Sequence, residues 1–212
     1  MAILYRTIGK GFLFPLHRLL WRVEIEGAER IPAGAAVLAP NHDSLLDPFF
    51  LGLATRRVVR YMAKAELWEL KLLPGFGKVM ESFAAFPVRR GESDGEAIGA
   101  ALELLRRGEL LGVFPQGTCL PYRDRRWRRG AARLALEAGC PLVPVALVHT
   151  EKAFQPRTRK LGLPRVRVIV GEPLLPSGPA TAEAAEALTA RLEVAVAALR
   201  IPYGPPHHAW FD

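Results

Sequence analysis

Apolar residues along this chain fall into two patterns, and the two alternate. Short, nearly continuous runs predict buried strands: Ala35 to Ala39, Val58 to Met62, Phe83 to Val88, Leu110 to Phe114, Leu142 to Val148 and Val166 to Val170. Val23 to Glu26 is shorter and alternates, which also predicts a strand. Between these lie segments with helical spacing. Ile98, Ala101, Leu102 and Leu105 follow the capping box Ser93-Asp94-Gly95-Glu96, and their helix ends at Arg106-Arg107-Gly108. Gly130 to Ala138 is a second helix, stopped by Gly139, and Glu66 to Leu73 is a short one, stopped by Pro74-Gly75. Thr181 to Leu199 is a long alanine-rich helix with Leu188, Leu192, Val196 and Leu199 on one side. Strands that alternate with helices predict a single α/β domain with a mainly parallel β-sheet flanked by helices.

The two ends break the pattern. Residues 2–20 carry Ile3, Leu4, Ile8, Phe12, Leu13, Leu16, Leu19 and Leu20 at roughly helical spacing, with Arg6, Lys10, His17 and Arg18 between them. That composition predicts an N-terminal amphipathic membrane-associating helix over residues 1–20, lying on an anionic membrane surface, peripheral or monotopic. The alternative is a helix packed on the domain's own core. No apolar run reaches the roughly 20 residues needed to span a bilayer, and no small-residue cleavage site follows a clean apolar core. Residues 21–200 form the domain, and residues 201–212, rich in Pro and His, form an irregular tail.

Composition narrows the function. The 212 residues are half hydrophobic, which excludes a disordered chain, and the formal net charge of +8 favours an anionic partner. Two cysteines, Cys119 and Cys140, supply neither a disulfide framework nor a zinc pattern. His207 and His208 are too few to argue a metal. The arginine run Arg123, Arg125, Arg126, Arg128, Arg129 and Arg133 around Trp127 fits phosphate or anionic lipid, nucleic acid, or a solvated helix face. The apolar N-terminus ranks lipid or phosphate first, so no nucleic acid is expected as partner.

Candidate chemistry sits where predicted strands end. In an open parallel sheet, ligands gather at the carboxyl ends of the strands. Three polar loops follow strands directly: Asn41 to Asp47, Arg89-Arg90, and Gln116-Gly117-Thr118. Histidine is the side chain suited to take a proton near neutral pH. A carboxylate on one ring nitrogen fixes the tautomer and stabilises the charged ring. A loop at His42 leading into a helix at Asp47 would let the imidazole fold back on that carboxylate. Pro48 suits the first helical position, which makes Asp47 the N-cap. On spacing alone the plainer reading also stands, with Asp47 only a cap and His42 bonded to backbone. Arg90 offers a bidentate phosphate clamp or is a surface arginine. Gly117 with Thr118 offers backbone N–H groups to an anion or is an ordinary turn. Cys119 is a thiol beside this loop, either a nucleophile or an inert buried group.

Taken together, these segments resemble the glycerolipid acyltransferase family of the lysophosphatidate type. Asn41-His42-x4-Asp47 is similar to its first motif and Phe86-Pro87-Val88-Arg89-Arg90 to its second. Phe114-Pro115-Gln116-Gly117-Thr118 is similar to its third, and Val143-Pro144-Val145 to its fourth. The linking Arg128-Arg129-Gly130-Ala131 also resembles the family, and the likeness runs from about residue 20 to 175. The resemblance implies that His42 removes the proton of an acceptor hydroxyl, held by Asp47. The alkoxide then attacks an acyl thioester on coenzyme A or acyl carrier protein, with no acyl-enzyme and no metal or redox cofactor. It implies that Arg90, Gln116, Gly117, Thr118, Arg128 and Arg129 bind a lysophospholipid acceptor, in phospholipid biosynthesis at the cytoplasmic face of the membrane. Two positions depart from the family: Gln116 replaces a usual glutamate and Cys119 a common arginine. Those departures keep open a non-catalytic anionic-lipid-binding protein with a decayed site, and, more remotely, a basic nucleic-acid-binding domain.

Overall fold

The computed structural model describes residues 14–64, 85–88, 94–119, 126–155 and 160–204. A sheet whose inner strands are buried on both faces needs a helical layer on each side. β2 (Ala36–Pro40) and β6 (Leu142–Val148) are buried at every position. The sheet has seven strands in the order β1-β9-β6-β2-β5-β3-β4, with β1 Glu24–Glu26, β3 Val59–Lys64, β4 Ala85–Val88, β5 Leu110–Gly112 and β9 Arg167–Val170. Neighbours β6, β2, β5, β3 and β4 run parallel, so their carboxyl ends share one edge.

Two strands run against this direction: β9 pairs antiparallel with β6, and β1 pairs parallel with β9. A parallel return needs a crossover, usually helical. Between β6 and β9 the described residues hold only a 3₁₀ turn, Thr150–Lys152, and the short hairpin of β7 (Phe154–Gln155) and β8 (Lys160–Leu161). The chain therefore comes straight back.

On one face lie α3 (Asp94–Arg106), α4 (Gly130–Ala138) and α5 (Ala182–Arg200), and a core of Val37, Leu111, Leu134, Leu142, Leu188 and Leu192 joins them to the sheet. α4 buries Ala131, Ala132, Leu134, Ala135 and Leu136 and stops at Gly139, whose φ of 61° is left-handed. Thr181 caps α5, its hydroxyl accepting from Ala184 N–H at 3.1 Å. On the other face, α1 (Phe14–Leu20) and α2 (Asp47–Leu53) cover Trp21, Leu38, Phe50, Leu51, Val145 and Val168.

Within the described residues the expected strands and helices form with small changes of boundary, while Phe83, Ala84 and the Ser93 end of the capping box lie outside them. The expected helix at Glu66 to Leu73 lies outside the described residues, as do the segment before Phe14 and the tail after Gly204. The start of the expected irregular tail is ordered: Ile201–Tyr203 is a 3₁₀ turn that continues α5. Pro202 has its ring at the start of that turn, where no backbone donor is needed.

Candidate active site

The first loop is built by a buried asparagine. Asn41 Oδ1 accepts from Leu147 N–H at 2.8 Å and its Nδ2 donates to Leu147 O at 2.9 Å, so the side chain extends the β2–β6 pairing beyond the strand end. This fixes where His42 leaves the sheet. Its backbone N–H donates to Gln116 Oε1 at 2.7 Å, and its ring lies 4.3 Å from the Phe114 ring, tilted by 33°. Two of the three predicted loops thus meet at one residue.

His42 Nδ1 lies 2.8 Å from Asp47 Oδ2. Asp47 is fully buried, and the same oxygen accepts from the N–H groups of Asp43, at 2.7 Å, and Ser44, at 2.8 Å. Three contacts converge on one carboxylate oxygen and hold the loop closed around it. With Nδ1–H given to Asp47, Nε2 is the basic nitrogen of the neutral ring.

The expectation that Asp47 is the N-cap is corrected. Leu46 occupies the cap position with helical dihedrals and no side-chain bond, and Asp47 is the first residue of α2. Its carboxylate points back into the loop because three donors there outcompete the helix's own first N–H groups. Its second oxygen, Oδ1, is buried without a hydrogen-bond partner among the described residues.

The third loop is a tight turn. Gly117 has a φ of 67° and its N–H donates to Phe114 O at 3.0 Å. Gln116, Gly117 and Thr118 are partly buried, and Cys119 is buried. The structure turns Gln116 toward the backbone of His42, so it braces the candidate base. Arg128 N–H donates to Pro115 O at 3.0 Å, which ties the arginine segment to this loop, while the Arg128 side chain is exposed. Arg129 is also exposed and lies 3.8 Å from Glu186 on α5. Arg90 lies outside the described residues; β4, which leads to it, runs parallel to β3 and ends at the same edge. Among the described residues no cluster of His, Cys, Asp or Glu could hold a metal ion.

A buried polar group beside the dyad escaped sequence reasoning. Asp43 Oδ2 accepts from Asn41 Nδ2 at 2.7 Å and from Arg200 Nη1 at 2.9 Å. Glu151, buried in the turn after β6, has both carboxylate oxygens without a hydrogen-bond partner among the described residues. Burial chiefly, with the Asp43 charge adding to it, pushes its carboxyl above the usual range. His149 is held below the ordinary histidine value by burial first, then by Lys152, Arg167 and Arg200. No local pattern signals these contacts, because Arg200 and Asp43 are 157 positions apart.

Beside the loop, α1 and α2 enclose an apolar groove of about 200 Å³ lined by Phe14, Leu16, His17, Leu20, Trp21, Leu46, Phe49 and Leu161. Leu46 is the neighbour of Asp47 in the chain. His17 faces Trp21 and Phe50, with ring centroids 4.3 and 4.5 Å away, and burial pulls its pKa down to about 4.

Comparisons with known proteins give the family and the fold. The family model described as Acyltransferase matches residues 22–148. A 1-acyl-sn-glycerol-3-phosphate acyltransferase of Bacillus subtilis is 32% identical over 180 residues, covering 81% of this chain and 86% of the relative. One of Pseudomonas aeruginosa with the same name is 26% identical, covering 71% of this chain and 58% of its own length. The crystal structure of the 1-acyl-sn-glycerophosphate (LPA) acyltransferase PlsC from Thermotoga maritima shares the fold, with a TM-score of 0.69 at 22% identity, over 94% of this chain and 85% of that one. With the His42 and Gln116 loops together at one sheet edge, and both the family model and a 32% identical relative matching, the chain belongs to the acyltransferase family and is an enzyme similar to 1-acylglycerol-3-phosphate O-acyltransferases.

Proposed function

We propose that the protein transfers a fatty acyl group from an acyl thioester to the free hydroxyl of lysophosphatidate, with His42 as general base. The carrying observation is the 2.8 Å contact between His42 Nδ1 and the buried Asp47 carboxylate. Nε2 takes the proton of the acceptor hydroxyl as its oxygen attacks the thioester carbonyl. Asp47 stabilises the imidazolium that forms. Collapse of the tetrahedral adduct expels the thiol of coenzyme A or acyl carrier protein, and the proton on Nε2 leaves with the thiolate. Neither partner chemistry requires a metal or redox cofactor.

Gln116 supports the catalytic reading over a decayed site. The position has to offer His42 N–H an acceptor, and an amide oxygen does so as a carboxylate would. Gly117, Thr118, Arg128, Arg129 and Arg90 are the proposed contacts of the acceptor's phosphate. The membrane-surface reading is supported by exposed Leu16, Leu19, Leu20 and Leu161 around the groove, with exposed Arg18 and Arg22 beside them. Trp21 Nε1 donates to Gly162 O at 2.8 Å and Arg22 to Leu163 O at 2.9 Å, which joins this apolar face across two distant segments. Among the described residues no helix is long and apolar enough to cross a membrane. The action proposed is at the cytoplasmic face of the membrane, on an anionic lipid surface.

The test is an acceptor screen with purified protein, following thiol release from acyl-coenzyme A and acyl carrier protein. Acylated product with lysophosphatidate, and none with glycerol, supports the assignment. Binding to anionic vesicles with no turnover of any lysolipid would overturn it in favour of a lipid-binding protein.

A further inference from the structure

The last residue of α5 reaches the dyad loop. Arg200 Nη1 lies 2.9 Å from Asp43 Oδ2, and the two side chains are only 15% and 1% exposed. Asp43 follows His42 directly and belongs to two networks at once. Its side chain accepts from Asn41 and Arg200. Its backbone N–H donates to the Asp47 oxygen that also meets His42.

A carboxylate this buried is tolerated only when a partner compensates it. Asn41 supplies one neutral donor. Glu151 lies close enough for the Asp43 charge to raise its carboxyl pKa, and it supplies no donor. His149 is held toward its neutral form. Lys152, in the same turn, is exposed. Among the described residues, Arg200 brings a positive charge into contact with Asp43. It does so from outside residues 22–148, the segment the family pattern matches.

We propose that Arg200 is a positioning residue: by pinning the Asp43 side chain it holds the loop in which Asp47 orients His42. This rests on the reading of His42 as general base. The alternative is that the pair only ties α5 to the sheet. That tie is already made by Ala185, Leu188, Leu192 and Val196, which are buried in the core. Without Arg200, the buried Asp43 side chain loses this contact and shifts in its pocket, which moves the N–H that Asp47 accepts.

The test uses the full chain and four variants: Arg200→Met, Arg200→Lys, Asp43→Asn and Asp43→Asn/Arg200→Met. Misplacing a base by a fraction of an ångström to one ångström costs up to about 100-fold, so Arg200→Met lowers kcat by about 10- to 100-fold with KM for the thioester within about twofold. Arg200→Lys keeps the charge and recovers part of that loss. The double variant has no stranded carboxylate and recovers more than Arg200→Met shows. The second readout needs no substrate. With ¹⁵N-labelled histidine, and His42→Ala to assign the signal, the wild-type ring is the Nδ1–H tautomer. Arg200→Met mixes the tautomers and the double variant restores the first.

Wild-type kcat and wild-type ring signals in Arg200→Met would overturn the proposal. So would equal losses in Arg200→Met, Arg200→Lys and the double variant, which is the mark of a plain structural tie. If the wild type turns over no acyl thioester while the ring signals move as described, the reaction assignment fails and the positioning role stands.

Discussion

Asp47→Asn isolates the charge of the dyad from its shape. The amide is nearly isosteric, and its oxygen can keep the place of Oδ2, which accepts from the N–H groups of Asp43 and Ser44 and meets His42 Nδ1. The new NH₂ then takes the place of Oδ1, a buried atom with no partner among the described residues. A buried donor left unmade costs about 1–3 kcal/mol of stability, offset by removing a buried charge. The protein should therefore stay folded, which a thermal melt checks. Catalysis should not survive as well. At about 4 Å between charge centres and an effective dielectric near 20, the carboxylate stabilises an imidazolium by about 4 kcal/mol. That corresponds to a loss of about 10³ in kcat, read as thiol release at saturating acyl thioester and lysophosphatidate. A folded Asp47→Asn protein with kcat within about tenfold of wild type would refute the electrostatic role and leave Asp47 as a loop clamp.

Three further outcomes follow from packing and burial. In Gly112→Ala the new Cβ would stand 2.6 Å from Tyr61 Cε1 and 3.1 Å from Val59 Cγ1 in the middle of the sheet; overpacking of this kind costs about 1–3 kcal/mol, a drop in Tm of roughly 2–12 °C. Glu151 has its pKa raised in the fold, so the stability it contributes is present below the ordinary glutamate value and is lost as pH rises through the raised one. Glu151→Gln should accordingly be more stable than wild type in urea at pH 8, with the gap closing by pH 4; an equal gap at both values contradicts the assignment. His17 behaves oppositely: its pKa falls from 6.5 to about 4, so the neutral ring's contribution is full above 6.5 and lost as pH falls toward 4. The shift is worth about 2 kcal/mol after allowance for partial solvent access, and His17→Leu should remove that much acid sensitivity between pH 7 and pH 4.

Local signals carried most of the fold. Gly139 and Thr181 end and start their helices as their residue types require, and the apolar runs became strands because a sheet covered on both faces needs continuous apolar stretches. The reversed direction of β9 was not legible, since pairing direction depends on what the connection can span and not on the strand's own residues. At the site, His42 and Asp47 were legible as a pair, but the Asp47 cap was misjudged. Pro48 marks the helix start to within one residue, yet only the folded loop reveals three donors aimed at one oxygen. From its motif Gln116 reads as a contact for substrate; its bond to His42 N–H spans 74 positions and exists only in the folded chain. Arg200 and Asp43 were silent for the same reason.

The central claim is that His42 removes the proton of the acceptor hydroxyl, and His42→Ala in the thiol-release assay with lysophosphatidate tests it most directly. Removing the base should lower kcat by about 10² to 10⁴ in a protein whose thermal melt matches wild type. Retention of full activity by the folded variant would contradict the account.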